Sequence, residues 1–228
     1  MGRCENCIIR QFNSLRAMSK DELKKVSDSK ISKTFKKGEA IFEEGDRLDG
    51  VYCVKDGVSK LSKLSANGKD QIIKLATKGE ILGQRSVIAE ESANLSAIAI
   101  KDMDLCFIPK ESILHTLNTN PSFAVEVLRH MANDLREADD VIVNISQKTV
   151  KQRTAEAFIY LRDNFGEDKD GFLSLSLSRE DMSNVVGTAT ESTIRIISEF
   201  KKKGMLETSG KKIRILSQPK LEAVINGL

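Results

Sequence analysis

The sequence predicts an α+β chain: an antiparallel β-roll, then one long helix, then a small helical domain closed by a β-hairpin. Three observations predict it. Between Ile31 and Pro109, short β-type runs alternate with glycine-bearing turns. From Pro121, a stretch without breakers carries apolar residues at alternating spacings of three and four. Beyond Ser178, two short amphipathic segments meet at a glycine and lead into two β runs separated by Ser209-Gly210.

Residues 1–14 read as a short leader carrying Cys4 and Cys7. A helix is expected over 15–30, where Ser19 suits a cap, Glu22 answers it three positions on, and Leu23 and Val26 share a face. The roll strands include Ala40-Ile41-Phe42, Gly50 to Val54, Gly57 to Leu61, Gln71 to Leu75 and Ala97 to Ile100, with a further strand ending at Cys106-Phe107-Ile108-Pro109. Turn signals separate them at Lys37-Gly38, Glu44-Gly45-Asp46, Asp56-Gly57, Asn67-Gly68 and Lys78-Gly79. Glycines at that regularity suit a closed antiparallel roll. A short helix is expected from Lys110 to Thr119.

Pro121 then opens the long helix, at a position where its missing N–H costs nothing. Leu128, Met131, Leu135, Ala138, Ile142 and Ile145 form an a/d seam along it. A seam of that kind fits a two-stranded contact between two copies better than packing on the chain's own roll. Gln147-Lys148-Thr149 marks a hinge, Val150 to Phe165 a further helix, and Gly166 to Gly171 a polar loop. The domains are therefore placed at 15–120, 121–146 and 148–219.

The segment from Ser178 to Phe200 reads as a helix-turn-helix. Ser178 suits the cap of its first helix, with Asp181 to close a capping box, and Met182, Val185 and Val186 supply an apolar face. Gly187 suits the sharp turn. Thr188 is expected to cap the second helix, with Glu191 at the matching third position. Thr193, Ile196, Ile197 and Phe200 recur at i, i+3, i+4 and i+7 and are expected in the core. The opposite side carries Thr190, Glu191, Ile194, Arg195 and Ser198. There Arg suits guanine, Glu suits a cytosine amino group, and Ile194 suits a thymine methyl. The bland alternative is a helical hairpin with a solvated charged face. Three lysines, Lys201 to Lys203, close the helix at its negative end. Strand, tight turn and strand follow as a wing carrying Lys211, Lys212 and Arg214, placed for phosphates. The candidate DNA-binding residues are Ser178, Arg179, Thr188, Thr190, Glu191, Ser192, Ile194, Arg195, Lys211 and Lys212.

Composition bounds the partners. The chain has 228 residues and a formal net charge of +3. Between Lys148 and Leu228, 14 cationic residues face 11 acidic ones, so the surplus is confined to this region. Contact with nucleic acid must come from a local patch, not from bulk charge. No run approaches the ~18 apolar residues of a membrane span and no signal-peptide core is present, so a cytoplasmic protein without membrane contact is expected. No catalytic motif appears, and no enzyme is expected. Four cysteines in such a protein are more often thiols or ligands than a disulfide framework.

The glycine-punctuated roll, the long helix and the winged helix-turn-helix together resemble the Crp/Fnr family of bacterial transcription regulators. The resemblance covers nearly the whole chain. Its most specific pieces are Lys37-Gly38-Glu39, Glu44-Gly45-Asp46, Gly57, Gly79-Glu80, Cys106 to Pro109, and Ser178 to Arg195. It implies a cyclic-nucleotide-binding-like roll, a homodimer on palindromic double-stranded DNA, RNA polymerase as partner, and half-site reading by Glu191 and Arg195. It also implies an effector pocket, here drawn from Gly79, Glu80, Arg85 and Ser96. In the cyclic-AMP branch an Arg precedes the recognition Glu, whereas this chain has Thr190. The phosphate cassette of that branch ends Arg-Ser-Ala, whereas this chain has Leu95-Ser96-Ala97, and its Thr-Ser pair is replaced by Ala138-Asp139. Leucine offers no charge-assisted bond to phosphate, so cyclic AMP is not the expected effector. The iron–sulfur branch uses a C-x2-C-x5-C leader and a strand cysteine. Cys4, Cys7 and Cys106 match, Asn13 stands at the third leader position, and Cys53 is the spare thiol, inside a strand. His115 and His130 have no partner at metal-like spacing. No metal and no cofactor is expected. The alternatives are a redox or iron–sulfur regulator using Cys4, Cys7 and Cys106, and a β-roll module whose helix-turn-helix contacts protein.

Overall fold

A serine hydroxyl and a glutamate three residues on can satisfy two of the bare N–H groups at a helix start, and this pair sets where the first helix begins. Ser19 Oγ accepts from the Glu22 N–H, and the Glu22 carboxylate accepts from the Ser19 N–H at 2.7 Å. Helix α1 therefore spans Lys20–Ser29 and does not reach back to residue 15. The residues ahead of it form three short 3-10 turns, Cys4–Asn6, Ile8–Phe12 and Ser14–Ala17. This computed structural model describes residues 3–65, 68 and 70–227; Asn67, half of an expected turn signal, lies outside them.

The roll follows as β1 (Ile31–Phe35), β2 (Ala40–Phe42), β3 (Gly50–Asp56), β4 (Ser59–Leu64), β5 (Asp70–Ala76), β6 (Ile81–Leu82), a short helix α2 (Gln84–Ala89), β7 (Ser96–Ala99) and β8 (Met103–Pro109). Two four-stranded sheets form, in the orders β1-β8-β3-β6 and β2-β7-β4-β5. Strands β1, β3 and β8 pair antiparallel, as do β2 with β7 and β4 with β7. Every residue from Gly50 to Val54 is buried, because β3 has a core on each side. Tyr52 and Val54 point into the roll with Ile41, Phe42 and Leu105. Val51 and Cys53 point outward, where the leader, α1 and Phe123 cover them. A strand covered on both faces reads as a continuous apolar run rather than an alternating one. Tyr52 anchors the inner side, its ring centroid 5.2 Å from Phe107 and 6.1 Å from Phe42.

Helix α3 (Lys110–Thr119) runs into α4 (Pro121–Gln147). The first turns of α4 are fixed to the roll by Phe123 and Val127, and to the turn Ser14–Ala17 by Glu126, whose carboxylate accepts from Arg16 at 2.6 Å. Arg16 and Arg129 hold the Glu126 carboxyl below its usual range. Beyond Val127 the same helix turns an apolar stripe outward: Leu128, Leu135 and Ile142 are 64–65% exposed.

The remaining elements are α5 (Val150–Phe165), α6 (Arg179–Val186), α7 (Thr190–Lys202), β9 (Leu206–Ser209), β10 (Lys212–Ile215) and α8 (Gln218–Ile225). A second capping box, Thr149 with Gln152, starts α5 at the expected hinge. Phe158, Leu161, Phe200, Leu206 and Leu221 are almost fully buried. Two compact units result, Met1–Leu64 with Ile73–Ala138, and Ser65–Ile72 with Asp139–Leu228. No helix among the described residues is long and apolar enough to cross a membrane.

Two glycines separate backbone conformation from packing. Gly38 (φ +92°) has open space where a Cβ would stand, whereas Gly57 (φ +93°) would drive its Cβ against the Asp102 carbonyl and to 2.8 Å from Met103 Cα. Gly38→Ala is expected to lose about 1–2 kcal/mol of stability for the left-handed conformation alone. Gly57→Ala should lose at least about 1–3 kcal/mol more, since backbone must shift. Denaturant unfolding measures both, and equal losses would contradict the packing described for Gly57.

Candidate nucleic-acid interface

An eight-residue helix is too short to persist unaided, so α6 depends on its ends. At its start Ser178 Oγ accepts from the Asp181 N–H at 2.9 Å, and the Ser178 hydroxyl donates to the Asp181 carboxylate at 2.7 Å. At its end Gly187 takes a left-handed conformation (φ +72°, ψ +52°), and the N–H groups of Gly187 and Thr188 both return to the Ser183 carbonyl. That spends the Thr188 backbone on closing α6. The expected cap at Thr188 is therefore corrected: the N-cap of α7 is Ala189, with no side-chain bond, and the helix begins at Thr190. The Thr190 hydroxyl lies 3.0 Å from that of Ser183, joining α6 to α7.

Helix α7 divides into the two faces its sequence sets. Thr193, Ile196, Ile197 and Phe200 are buried. Glu191, Ile194, Arg195 and Ser198 are exposed, and Ser192 is half-buried between them. Ile194 is 46% exposed, an apolar side chain on an otherwise polar face. Toward the end of the helix, Glu199 accepts from Lys151 of α5 at 2.7 Å and pairs with Lys203 at 2.8 Å. These two ammonium groups bring the Glu199 carboxyl down to about 2.

Arg153 of α5 holds the turn, and nothing in the sequence pattern singled it out. Its guanidinium donates to the carbonyls of Val186 (2.9 Å), Gly187 (3.3 Å) and Lys148 (2.7 Å). The acceptors are main-chain oxygens, which carry no signature in side-chain sequence.

The wing is a two-residue turn between β9 and β10, with Gly210 at φ +58° and Ser209 opposite Lys212. Lys211 is exposed at its tip. Lys212 is also exposed, but its ammonium binds Asp168 at 2.9 Å. Arg214 pairs with Glu207 and lies 4.3 Å above the Phe172 ring. Arg179, in the first turn of α6, donates to the Gly210 carbonyl at 3.2 Å. Its other terminal nitrogen is buried without a hydrogen-bond partner among the described residues.

The four residues expected to line an effector pocket have separate partners. Gly79 is covered by the leader, where Phe12 Cβ stands 2.5 Å from the site of a would-be Cβ, and the Asn13 amide donates to the Gly79 carbonyl at 2.8 Å. Glu80 pairs with Lys74 at 3.3 Å, and Lys74 also binds Asp134 and Glu137 of α4. Burial raises Glu80 despite Lys74. Burial also works against the Lys74 charge, but the three carboxylates outweigh it and raise that pKa. Arg85 is exposed and pairs with Glu91 at 3.1 Å. Ser96 Oγ accepts from the Glu44 N–H at 3.0 Å. The thiols fare differently. Cys4, Cys7, Cys53 and Cys106 line one small cavity, and burial pushes the Cys53 thiol up to about 12. The sequence marked Cys53 as a thiol inside a strand but gave no sign that its side chain meets the leader.

Comparison with known proteins agrees with this architecture. Residues 32–120 match the cyclic nucleotide-binding domain family and residues 152–224 the Crp-like helix-turn-helix domain family. The chain is 30% identical to the transcriptional activator protein Anr of Pseudomonas protegens, over 87% of this chain and 82% of that one. It is 27% identical to the transcriptional activator protein FnrA of Stutzerimonas stutzeri, over 98% and 93%. The solved structure of FixK2 from Bradyrhizobium japonicum aligns with a TM-score of 0.75 at 25% identity, covering 85% of this chain and 96% of that one. A roll, a long helix and a winged helix-turn-helix, in that order and matched along their length, establish that this chain belongs to the Crp/Fnr family of DNA-binding transcription regulators.

Proposed function

We propose that this regulator works in the cytoplasm as a homodimer on palindromic double-stranded DNA, with α7 of each copy in a major groove. The observation that carries the reading is the exposed row Glu191, Ile194 and Arg195 on a helix whose other face is buried. Arg195 is a bidentate donor for guanine, Glu191 an acceptor for a cytosine amino group, and Ile194 a contact for a thymine methyl. Ser178, Thr188, Thr190 and Ser192 border this row, and a phosphate oxygen would satisfy the buried Arg179 nitrogen. Lys211 at the wing tip contributes to affinity, and Lys212 does so while still tethered to Asp168. RNA polymerase is the proposed partner, as suits a relative of proteins named transcriptional activators.

The homodimer is supported by the outward stripe on α4. Leu128, Leu135, Ile142 and Ile145 are exposed and apolar, with Met131 and Ala138 between them. Exposure of such a stripe is costly to a lone chain and is relieved by a second copy of the same helix. The effector is not cyclic AMP. Leu95 supplies no cation, Arg85 is held by Glu91, and Ser96 is held by the Glu44 N–H.

Arg195→Ala is expected to lose about 1–3 kcal/mol on the best site and to relax discrimination at one G·C pair. Lys211→Ala should weaken all sequences about equally and lower the salt slope by about 1. Arg153→Leu should also weaken all sequences, but with the salt slope unchanged, because it frees the turn rather than a phosphate. Site selection and gel shifts over a salt series separate the three; an unchanged selected motif for Arg195→Ala would exclude α7 as the reader.

Leu135→Asp places a charge in the seam. The variant should sediment as a monomer, with affinity for the palindrome down by about 10²–10⁴-fold. A dimer of normal affinity would contradict the seam. Titration calorimetry with cyclic AMP or cyclic GMP should show no micromolar binding. Binding that Arg85→Ala abolishes would show Arg85 in the role the missing cassette arginine holds elsewhere.

A further inference from the structure

Wing strand β10 carries two cations on one side, and the loop from Gly166 to Gly171 packs against that side. Lys212 and Arg214 stand two positions apart and project from the same face of the strand, while Ile213 between them turns into the core. Phe172, where the loop ends, meets both: Lys212 Nζ lies 5.5 Å and Arg214 Cζ 4.3 Å from its ring centroid. Each cation also holds a carboxylate, Lys212 that of Asp168 at 2.9 Å and Arg214 that of Glu207 at 3.1 Å.

The loop is built around Asp168, with a division of labour between its two oxygens. Asp168 Oδ1 accepts from the N–H groups of Asp170 and Phe172, both at 3.0 Å, and the Asp168 N–H donates to the Phe172 carbonyl at 2.7 Å. One oxygen therefore closes the turn, and the other, Oδ2, is left for the Lys212 ammonium. An asparagine closes the same kind of turn through its amide oxygen. The turn thus has no need of the negative charge, and the charge has the wing lysine as its partner. Lys212, and then the N–H groups, hold the Asp168 carboxyl below its usual range, so it is ionised at neutral pH. Asp170 adds to the negative field at Lys212.

A carboxylate oxygen 2.9 Å from an ammonium satisfies it much as a phosphate oxygen would. DNA must therefore draw Lys212 away from Asp168 or share it. The Lys212 side chain is 52% exposed, so this pair is weak enough to exchange. Pairs of that kind shift an equilibrium by about 1.4-fold to 5-fold. At that size the pair adjusts DNA affinity and does not abolish it.

We propose that Asp168 is a positioning residue that sets DNA affinity through Lys212: its carboxylate stands in for a DNA phosphate and holds down the sequence-independent part of binding. The inference rests on the reading of α6, α7 and the wing as a DNA-binding surface. The full chain and its Asp168→Asn variant are titrated, by fluorescence anisotropy over a salt series, against a selected palindrome and an unrelated duplex of equal length. Asp168→Asn should bind both duplexes more tightly, by about 1.4-fold to 5-fold per copy, with a salt slope steeper by up to about one per copy. In a Lys212→Gln background the same change should alter neither quantity. Unchanged affinity and slope in a folded Asp168→Asn variant overturn the proposal, and so does an equal gain in the Lys212→Gln background. Should circular dichroism show that Asp168→Asn does not fold, Lys212→Gln alone decides. It should cost less affinity and less slope than Lys211→Gln, and an equal or larger cost overturns the proposal. A wild-type chain that binds neither duplex removes the DNA-binding surface and this proposal with it. A wild-type chain whose selected motif is lost in Arg195→Ala, with Asp168→Asn unchanged, removes this proposal alone.

Discussion

A helix can present its outer face in one fixed position only while its opposite face is held still, and in this protein that constraint governs the whole of the second unit. Helix α7 sinks Thr193, Ile196, Ile197 and Phe200 into the core. Fully burying each large apolar side chain contributes about 1.5–3 kcal/mol before ordering costs. Interdigitating buried side chains set the position of the helix. Polar contacts reinforce it: Lys151 and Lys203 hold Glu199 at one end, and Ser183 meets Thr190 at the other. Arg153 then fixes the turn through the Val186 and Gly187 carbonyls. Misplacing α7 by an ångström would spoil a bidentate contact, so under the proposed reading these contacts set how sharply Glu191 and Arg195 discriminate.

In the first unit, the equivalent constraint is a strand with two cores. Because β3 is covered on both faces, its odd and even residues answer to different parts of the chain. Tyr52 and Val54 belong to the roll interior, Val51 and Cys53 to the leader and helices. A change in the leader is therefore felt at β3 without passing through the roll interior. Phe12 and Asn13 extend the same contact to Gly79. The leader, the thiols and Gly79 thus share one packed region.

Local interactions were legible in the sequence, and long-range ones to the backbone were not. The Ser19–Glu22 box, the a/d stripe of α4, the buried face of α7 and the two-stranded wing all follow from side-chain types at fixed spacing. The expected cap at Thr188 failed because the closing turn of α6 claims the Thr188 N–H, a competition that spacing does not reveal. Strand β6, only two residues long, and helix α8 escaped because neither carries enough periodic residues. Arg153 escaped because main-chain carbonyls are its acceptors. Cys53 was visible as a spare thiol, but its meeting with Cys4 and Cys7 depends on how the leader folds against β3.

Charge supports the proposed pairing of two copies. The net charge is only +3, and several cations of the wing and of the end of α7 are already engaged. Lys212 binds Asp168, Arg214 binds Glu207, and Lys203 binds Glu199. These pairings offset part of the positive charge that one copy offers to phosphates, which lowers the sequence-independent part of its DNA affinity. A second reading helix on a fixed partner adds its contacts without a second loss of translational freedom. In the proposed dimer the apolar stripe of α4 fixes it, and the modest charge of each copy then favours specificity, because non-specific DNA, which rewards charge alone, competes weakly.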